Sequence, residues 1–411
     1  MDMDFAFGFL SDIFNGLRLV APFIPVLLFV AAILIFWDAW KDYAQAKFAD
    51  KNPKILLEVK LPQNILKTPL AMELFLTSLY MTSRESTWID RNIKGQSRPI
   101  FSLELVSLGG EIHFFIWTEQ GLKDIVESQI YAQYPDVEIS EIVDYTKAIS
   151  FTPGQNDLFG IEFTKLAASP IPIKTYIDYG LDKQQEEENK IDPMTPLLEF
   201  LGSLRPGEQV WIQIVMRAHK KEKTVFVKDK KTGKTSRKKV DWADEAQKEK
   251  QKILDSLASD KEKFPRIATK GEADKLAAID RSVSKLPFDA GIRAIYYGET
   301  PTALRGVGRG GLMGSVRQFN SNTMNSFGPN NGTNYDYPWQ DFKNMRVNKD
   351  KKKMLDLYKR RAFFGVWKRK TFVMNTEEIA TMFHFPGLVA TTPNLPRIMS
   401  KRSNPPSNLP I

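Results

Sequence analysis

Cysteine is absent from this chain of 411 residues, and histidine occurs only three times. The absence of cysteine excludes a disulfide framework and is typical of proteins from a reducing compartment. His113, His219 and His384 stand far apart in the sequence, so no zinc-binding constellation is available. We therefore predict neither a metal site nor a cofactor.

Recognisable catalytic motifs are also missing. The sequence contains no G-x-S-x-G and no H-E-x-x-H. Gly233-Lys234-Thr235 resembles the end of a phosphate-binding loop, but Lys228 stands where that motif needs a glycine. Gly306, Gly308 and Gly311 fit G-x-G-x-x-G, although no strand directly precedes them. We interpret both segments as loops and predict that the protein is not an enzyme.

One long segment, Leu19–Trp37, lacks charge altogether. At about 1.5 Å per residue it would come close to the ~30 Å hydrocarbon core of a bilayer. A cleaved signal peptide and a buried core helix are the alternatives, but the leader before the run is acidic where a signal peptide is basic. The pattern favours a transmembrane helix at 19–37, preceded by a short extracytoplasmic or interfacial segment at 1–18.

The charges beside this run indicate an orientation. Arg18 is the one basic residue before it, whereas four lysines follow within twenty residues. The positive-inside rule then predicts a single-pass protein of the inner (cytoplasmic) membrane, with its N-terminus outside and its bulk in the cytoplasm. The predicted anchor residues, including an aromatic belt at the inner interface, are Leu19, Trp37, Trp40 and Tyr43.

The remaining sequence predicts an α+β protein. Strand and helix signals over 54–146 follow the order β-α-β-β-α-β, with a hairpin at Leu108-Gly109-Gly110. The second helix, at 121–134, is ended by Pro135. A weaker second pass of the same order covers 159–385 and contains a long helical and basic insertion at 220–287. We therefore expect two ferredoxin-like modules after the transmembrane helix, followed by an extended tail at 386–411.

Positive charge is concentrated in two segments of a chain whose net charge is +9. Segment 220–239 has ten lysines and arginines against two acids, and segment 343–370 has twelve against two. Within the second segment we predict a basic helix at 349–361. Three interpretations remain open: a solvated surface, contact with anionic lipid, or contact with nucleic acid. The aromatics among these charges could stack on bases or could belong to the core; they are Phe363, Phe364 and Trp367. The candidate contact residues are Lys351, Lys352, Lys353, Arg360, Arg361, Lys368, Arg369 and Lys370.

Four segments carry a family resemblance: Glu127–Tyr145, Gly310–Phe319, Tyr335–Arg346 and Asn375–Ile411. They resemble the non-ATPase N-terminal half of membrane-tethered HerA/FtsK-type and type IV secretion (conjugation) ATPases of bacteria. In that family a RecA-like motor follows the closing PP-x-NLP motif. This sequence has no such motor after the motif, so the resemblance implies either that the motor is a separate polypeptide or that this chain is the anchor half of a split system.

Two hypotheses for function follow. The first is a non-enzymatic membrane scaffold of a type IV secretion or DNA-translocation machine, which oligomerises and docks a separate hexameric ATPase. The second is a membrane-tethered nucleic-acid-binding protein that uses segments 220–239 and 343–370, with DNA as its partner.

Overall fold

The structure is a computed structural model. Its described residues form a mixed α+β fold, which agrees with the α+β part of the prediction. The described residues are 21–398 without 64, 66, 183–190, 221–222, 229–234, 259–266, 301–306, 336, 365, 367–368 and 388–394. Two compact units are present. The first takes Met1–Pro53 and Ser83–Ser97, and the second takes Lys54–Thr82 and Arg98–Ile411.

The described residues form ten α-helices and twelve strands. The helices are α1 (Ile24–Lys51), α2 (Pro69–Ser78), α3 (Trp88–Asn92), α4 (Lys123–Gln133), α5 (Thr195–Gly202), α6 (Trp242–Ala258), α7 (Lys270–Val283), α8 (Val307–Gly314), α9 (Met345–Lys359) and α10 (Thr376–Met382). The strands are β1 (Lys54–Pro62), β2 (Phe101–Leu108), β3 (Glu111–Glu119), β4 (Glu138–Ile142), β5 (Asp157–Lys165), β6 (Glu208–Ala218), β7 (Lys223–Lys228), β8 (Thr235–Val240), β9 (Pro287–Gly298), β10 (Phe327–Gly332), β11 (Phe372–Asn375) and β12 (Arg397–Ile398).

The first unit consists of the helix α1 and the segment Ser83–Ser97, which packs against it. Trp88 stacks on Trp37 of the helix, with ring centroids 5.6 Å apart. Gly95 has a positive φ of 65°, and a Cβ at this position would lie 2.2 Å from the carbonyl of Ala44. Only glycine permits so close an approach of the two backbones.

The prediction of a transmembrane helix at 19–37 is wrong. Within the described ranges, no helix has both the length and the apolar character that crossing a membrane requires. Helix α1 begins at Ile24 and reaches its first charge at Asp38. Its uncharged part is roughly 21 Å long at 1.5 Å per residue, short of the ~30 Å hydrocarbon core.

The predicted localisation, a single-pass inner-membrane protein with its N-terminus outside, is wrong for the same reason. Trp37 stacks on Trp88, and Trp40 lies 6.0 Å from Tyr43 between ring centroids, so these aromatics have contacts within the unit. Leu19 and segment 1–18 lie outside the described residues. The lipid interpretation of the basic segments depended on this anchor and loses its basis.

The second unit is built on one ten-stranded sheet. Its main strands lie in the order β4-β1-β3-β2-β6-β9-β5-β10, and each neighbouring pair is antiparallel. Strand β11 continues the edge of β9 beyond β5, and the short β12 lies parallel to the end of β1. Within the tail predicted at 386–411, β12 is the one described element of regular structure.

The prediction of two ferredoxin-like modules is wrong, because the strands do not form two separate sheets. The β2 register Phe101–Leu108 pairs residue by residue with Gln209–Met216 of β6, so the two predicted modules share one sheet. Sequence periodicity sets which residues face the core, but it does not set which edge strands pair across a hundred residues of chain. In the predicted insertion, β7 and β8 form a separate two-stranded ribbon, and α6 packs on α7.

The two faces of the sheet are covered differently. Helices α2, α4, α5, α8 and α10 bury one face, with side chains such as Phe75, Ile130 and Leu198 in a single apolar core. The other face packs against α9 and carries a smaller core around Trp211 and Tyr358. This second face also holds the polar groups described next.

Candidate functional site

A row of polar side chains crosses the second face of the sheet. Glu104 on β2, Gln213 on β6, Arg293 on β9, Glu162 on β5 and Asn331 on β10 are paired in register. Residues at one register position of neighbouring strands project from the same face, so their side chains meet. The first four are buried completely.

Hydrogen bonds run along this row without a break. Gln213 donates to Glu104 over 3.1 Å, and Arg293 donates to Gln213 over 3.2 Å. Arg293 also donates from Nε and Nη2 to Oε1 of Glu162, over 3.0 and 2.8 Å. Asn331 donates to the other oxygen of Glu162 over 2.8 Å. Buried charges destabilise a fold unless each has a partner of opposite charge and hydrogen bonds, and Arg293 and Glu162 have both.

The chain that follows α9 covers the row with two further arginines. Arg361 donates to both carboxylate oxygens of Glu104, over 2.9 and 3.0 Å, and also to Asp144. Arg369 donates to Glu162 over 2.5 Å. Together with Arg293 these two residues make three arginines. The three arginines face the three carboxylates of Glu104, Glu162 and Asp144.

Electrostatics favour the charged forms of Asp144 and Arg361, whereas burial lowers the pKa of Arg293. Burial by itself would raise the pKa of Asp144, but the hydrogen bond and charge of Arg361 outweigh burial and lower this pKa below its usual value. Burial disfavours the charged guanidinium of Arg361, yet Glu104 overcomes this effect and raises the pKa of Arg361. The hydroxyls of Tyr145 and Tyr358 lie 2.8 Å apart, and burial raises the pKa of both.

The structure separates the eight predicted contact residues. Arg361 and Arg369 are held in the cluster just described, Lys351 pairs with Asp157, and Arg360 pairs with Asp356. Lys352, Lys353 and Lys370 are exposed, and Arg360 is exposed despite its pair. Lys368 lies outside the described residues, as do the side chains of segment 221–240.

Two of the three aromatics expected near these charges, Phe363 and Phe364, have contacts within the protein. The ring of Phe363 is buried and lies 5.0 Å from the guanidinium of Arg293. Phe364 lies 4.4 Å from the guanidinium of Arg217. Trp367 lies outside the described residues. Phe363 and Phe364 therefore pack on arginines of the sheet.

A different set of aromatics is exposed just before α9. Tyr337, Trp339 and Phe342, here called the aromatic turn, are 52%, 78% and 74% exposed. The rings of Tyr337 and Trp339 stack on each other with centroids 4.5 Å apart and an interplanar angle of 12°. Sequence analysis did not single out these residues as a site, although the aromatic density of 335–342 was visible.

Asp341 holds the aromatic turn against the start of α9. Its carboxylate is buried and accepts hydrogen bonds from the backbone N–H groups of Arg346 and Val347, over 2.7 and 2.8 Å. Arg346 in turn donates to the carbonyl of Gln340 over 2.9 Å. A carboxylate that satisfies free N–H groups at a helix N-terminus is stabilised by the helix dipole.

Helix α9 presents a basic face next to this turn. Arg346, Lys349 and Lys353 follow a spacing of three and four residues, which places them on one side of the helix. They line a cavity of about 450 Å³ together with Arg369 and the acid Asp350. Lys349 and Lys353 make no ion pair within the described part of the chain.

A second cavity, of about 230 Å³, has compensated charge. His219 lies 2.6 Å from Asp289 and 3.5 Å from Asp241, and Arg217 lies 3.2 Å from Asp289. Over the described ranges, no group of three or more His, Asp and Glu is arranged to hold a metal ion. The uncompensated charge of α9 therefore marks the stronger candidate site.

Comparisons with known proteins add no assignment. The resemblance to the N-terminal half of HerA/FtsK-type and type IV secretion ATPases therefore stays a prediction. No protein-family model matches the chain, and no curated protein matches it.

Proposed function

We propose that this protein binds single-stranded nucleic acid on the surface formed by the aromatic turn and the basic face of α9. The observation that carries the proposal is the exposed, stacked pair Tyr337–Trp339 beside a helix with unpaired lysines. The proposal retains the nucleic-acid hypothesis from the sequence, without its membrane tether.

Stacking supplies the first part of the argument. A tryptophan that is 78% exposed leaves its ring face in contact with water, which is unusual for so large an apolar group unless it serves a contact. Bases stack on such rings for about 1–3 kcal/mol each, whatever their identity. Because stacking requires unpaired bases, the arrangement favours single strands over duplexes.

Charge supplies the second part. Lys349, Lys352 and Lys353 are exposed on α9, within a segment where lysine and arginine greatly exceed acids. A strand whose bases stack on the aromatic turn would carry its phosphates past these ammonium groups. Each neutralised phosphate releases condensed counterions, so affinity should fall steeply with salt.

The other hypothesis, a scaffold for a separate hexameric ATPase, stays a prediction. No contact among the described residues bears on it, and neither homo-oligomerisation nor an ATPase partner has support in the fold. A protein partner with acidic side chains would use the same basic surface, so the test must separate the two kinds of partner.

Fluorescence anisotropy with a labelled oligothymidine tests the proposal. We expect binding that prefers the single strand to the duplex and weakens as salt rises, with a slope of about −0.7 per phosphate contacted. Trp339→Ala should weaken binding by about tenfold, equivalent to about 1.4 kcal/mol of stacking. Trp339→Phe keeps an aromatic face and should retain most of the affinity.

Trp88→Ala is the matched control, because Trp88 is also exposed and also stacks on a neighbouring aromatic, Trp37. This variant should bind the oligonucleotide as the unchanged protein does. Equal losses for the Trp88 and Trp339 variants would contradict the proposal. Absence of oligonucleotide binding at low salt would also overturn it and would favour a protein partner for the surface.

A further inference from the structure

We propose that the cavity beside α9 is a site for a phosphate dianion, which would be either the terminal phosphate (a phosphomonoester) of a bound strand or free inorganic phosphate. Insofar as the phosphate belongs to a strand, the inference rests on the proposed function. The cavity measures about 450 Å³, within the range of about 300–1,000 Å³ that small-molecule sites occupy.

Arg369 lines the cavity and has a buried donor atom, Nε, without a partner among the described residues. Its side chain is only 9% exposed, and one end of the guanidinium binds Glu162. A buried N–H that lacks an acceptor costs about 1–3 kcal/mol. An anion bound in the cavity would offset part of this cost through its attraction to the charge of the guanidinium.

The net charge of the lining matches a dianion. Arg369 is balanced within the buried cluster of three arginines and three carboxylates. The remaining charged residues of the lining are Arg346, Lys349, Lys353 and Asp350, an excess of two positive charges. The carboxylate of Asp350 already accepts a hydrogen bond of 2.9 Å from the hydroxyl of Tyr335.

A terminal phosphate fits this environment better than an internal phosphodiester does. A phosphomonoester carries about −1.5 to −2 charge at pH 7 and offers three acceptor oxygens to one concave surface. A phosphodiester carries a single charge and must leave the cavity at two ends. Charge-assisted hydrogen bonds from lysine and arginine are the strong contacts that would distinguish the two.

Oligothymidines of one length with a 5′-phosphate, a 3′-phosphate or hydroxyls at both ends provide the test. We expect one phosphorylated form to bind about tenfold more tightly than the hydroxyl form, as one or two charge-assisted hydrogen bonds would give. In Lys349→Gln and in Lys353→Gln this ratio of dissociation constants should fall towards one.

Lys352→Gln is the matched control. It removes the same charge from an exposed lysine of α9 that does not line the cavity. It should weaken the phosphorylated and hydroxyl oligonucleotides equally and leave their ratio unchanged. If the ratio falls as much in Lys352→Gln as in the Lys349→Gln and Lys353→Gln variants, the effect is one of general charge, which would contradict a discrete site.

A titration with inorganic phosphate tests the phosphate site independently of strand binding. A ³¹P NMR titration should show line broadening with the unchanged protein and none with Lys349→Gln. Phosphate binding without oligonucleotide binding would support the site, assign it to a free phosphate and reject the proposed function. The inference is overturned if phosphate does not bind and terminal phosphorylation leaves oligonucleotide affinity unchanged.

Discussion

Arg361 connects distant parts of the second unit through a single side chain. It follows α9 with a left-handed φ of 50°, and its guanidinium binds Glu104 on β2 and Asp144 after β4. The conformation is uncommon for a residue with a Cβ, so the pairing with both carboxylates must offset its cost. The neighbouring Arg360 has the same charge but lies on the surface, paired with Asp356.

At this scale we predict unequal effects for two adjacent arginines. Arg361→Met leaves two carboxylates without their partner in a buried site, so it should lower the free energy of unfolding by about 3–5 kcal/mol. Arg360→Met removes an exposed ion pair, for which a loss of at most about 1 kcal/mol is expected. Urea unfolding at neutral pH measures both values. Similar losses for the two variants would mean that the buried cluster contributes no special stability.

Among the elements, segment Ser83–Ser97 depends on one glycine to lie against α1. Gly95→Ala places a methyl group 2.2 Å from the backbone of Ala44 and strains a positive φ, so the segment should detach from the helix. Trypsin should then cut faster after Arg91 and Lys94. Gly154→Ala is the control, because Gly154 also has a positive φ but its Cβ would meet nothing within 4 Å. Unchanged tryptic cleavage in the Gly95 variant would count against this account.

Helix α9 shows what local pattern can and cannot predict about an element. Sequence analysis places a basic helix at 349–361, and the structure has one at Met345–Lys359. The alternation of buried and exposed positions follows from helical periodicity. Which cations are free does not follow, because the partners of Lys351 and Arg361 come from β5, β2 and the chain after β4.

For the second unit as a whole, the single sheet implies that its two halves unfold together. Ile214 of β6 is buried and lies in register between Leu103 of β2 and Ile292 of β9. Ile214→Ala should cost about 2–5 kcal/mol, because it removes buried methyl groups and leaves a cavity. Hydrogen exchange should then show the same decrease in the free energy of opening for peptides from β1 and for peptides from β5. A loss confined to β5 and its neighbours would show two independent folding units.

Residue pattern alone was enough to locate several elements of this protein. The strands beside Gly109-Gly110, the helix ended before Pro135 and the basic helix near 349 all follow from side-chain period and turn chemistry, which act over a few residues. The candidate site could be predicted only as a basic segment. The aromatic turn is held by Asp341 through hydrogen bonds to residues five and six positions further along the chain. The free lysines and the cavity, however, depend on strand pairing and ion pairs between residues about 100 to 260 positions apart. Such contacts arise when the sheet assembles, because burial then forces each charge to find a partner or remain in water.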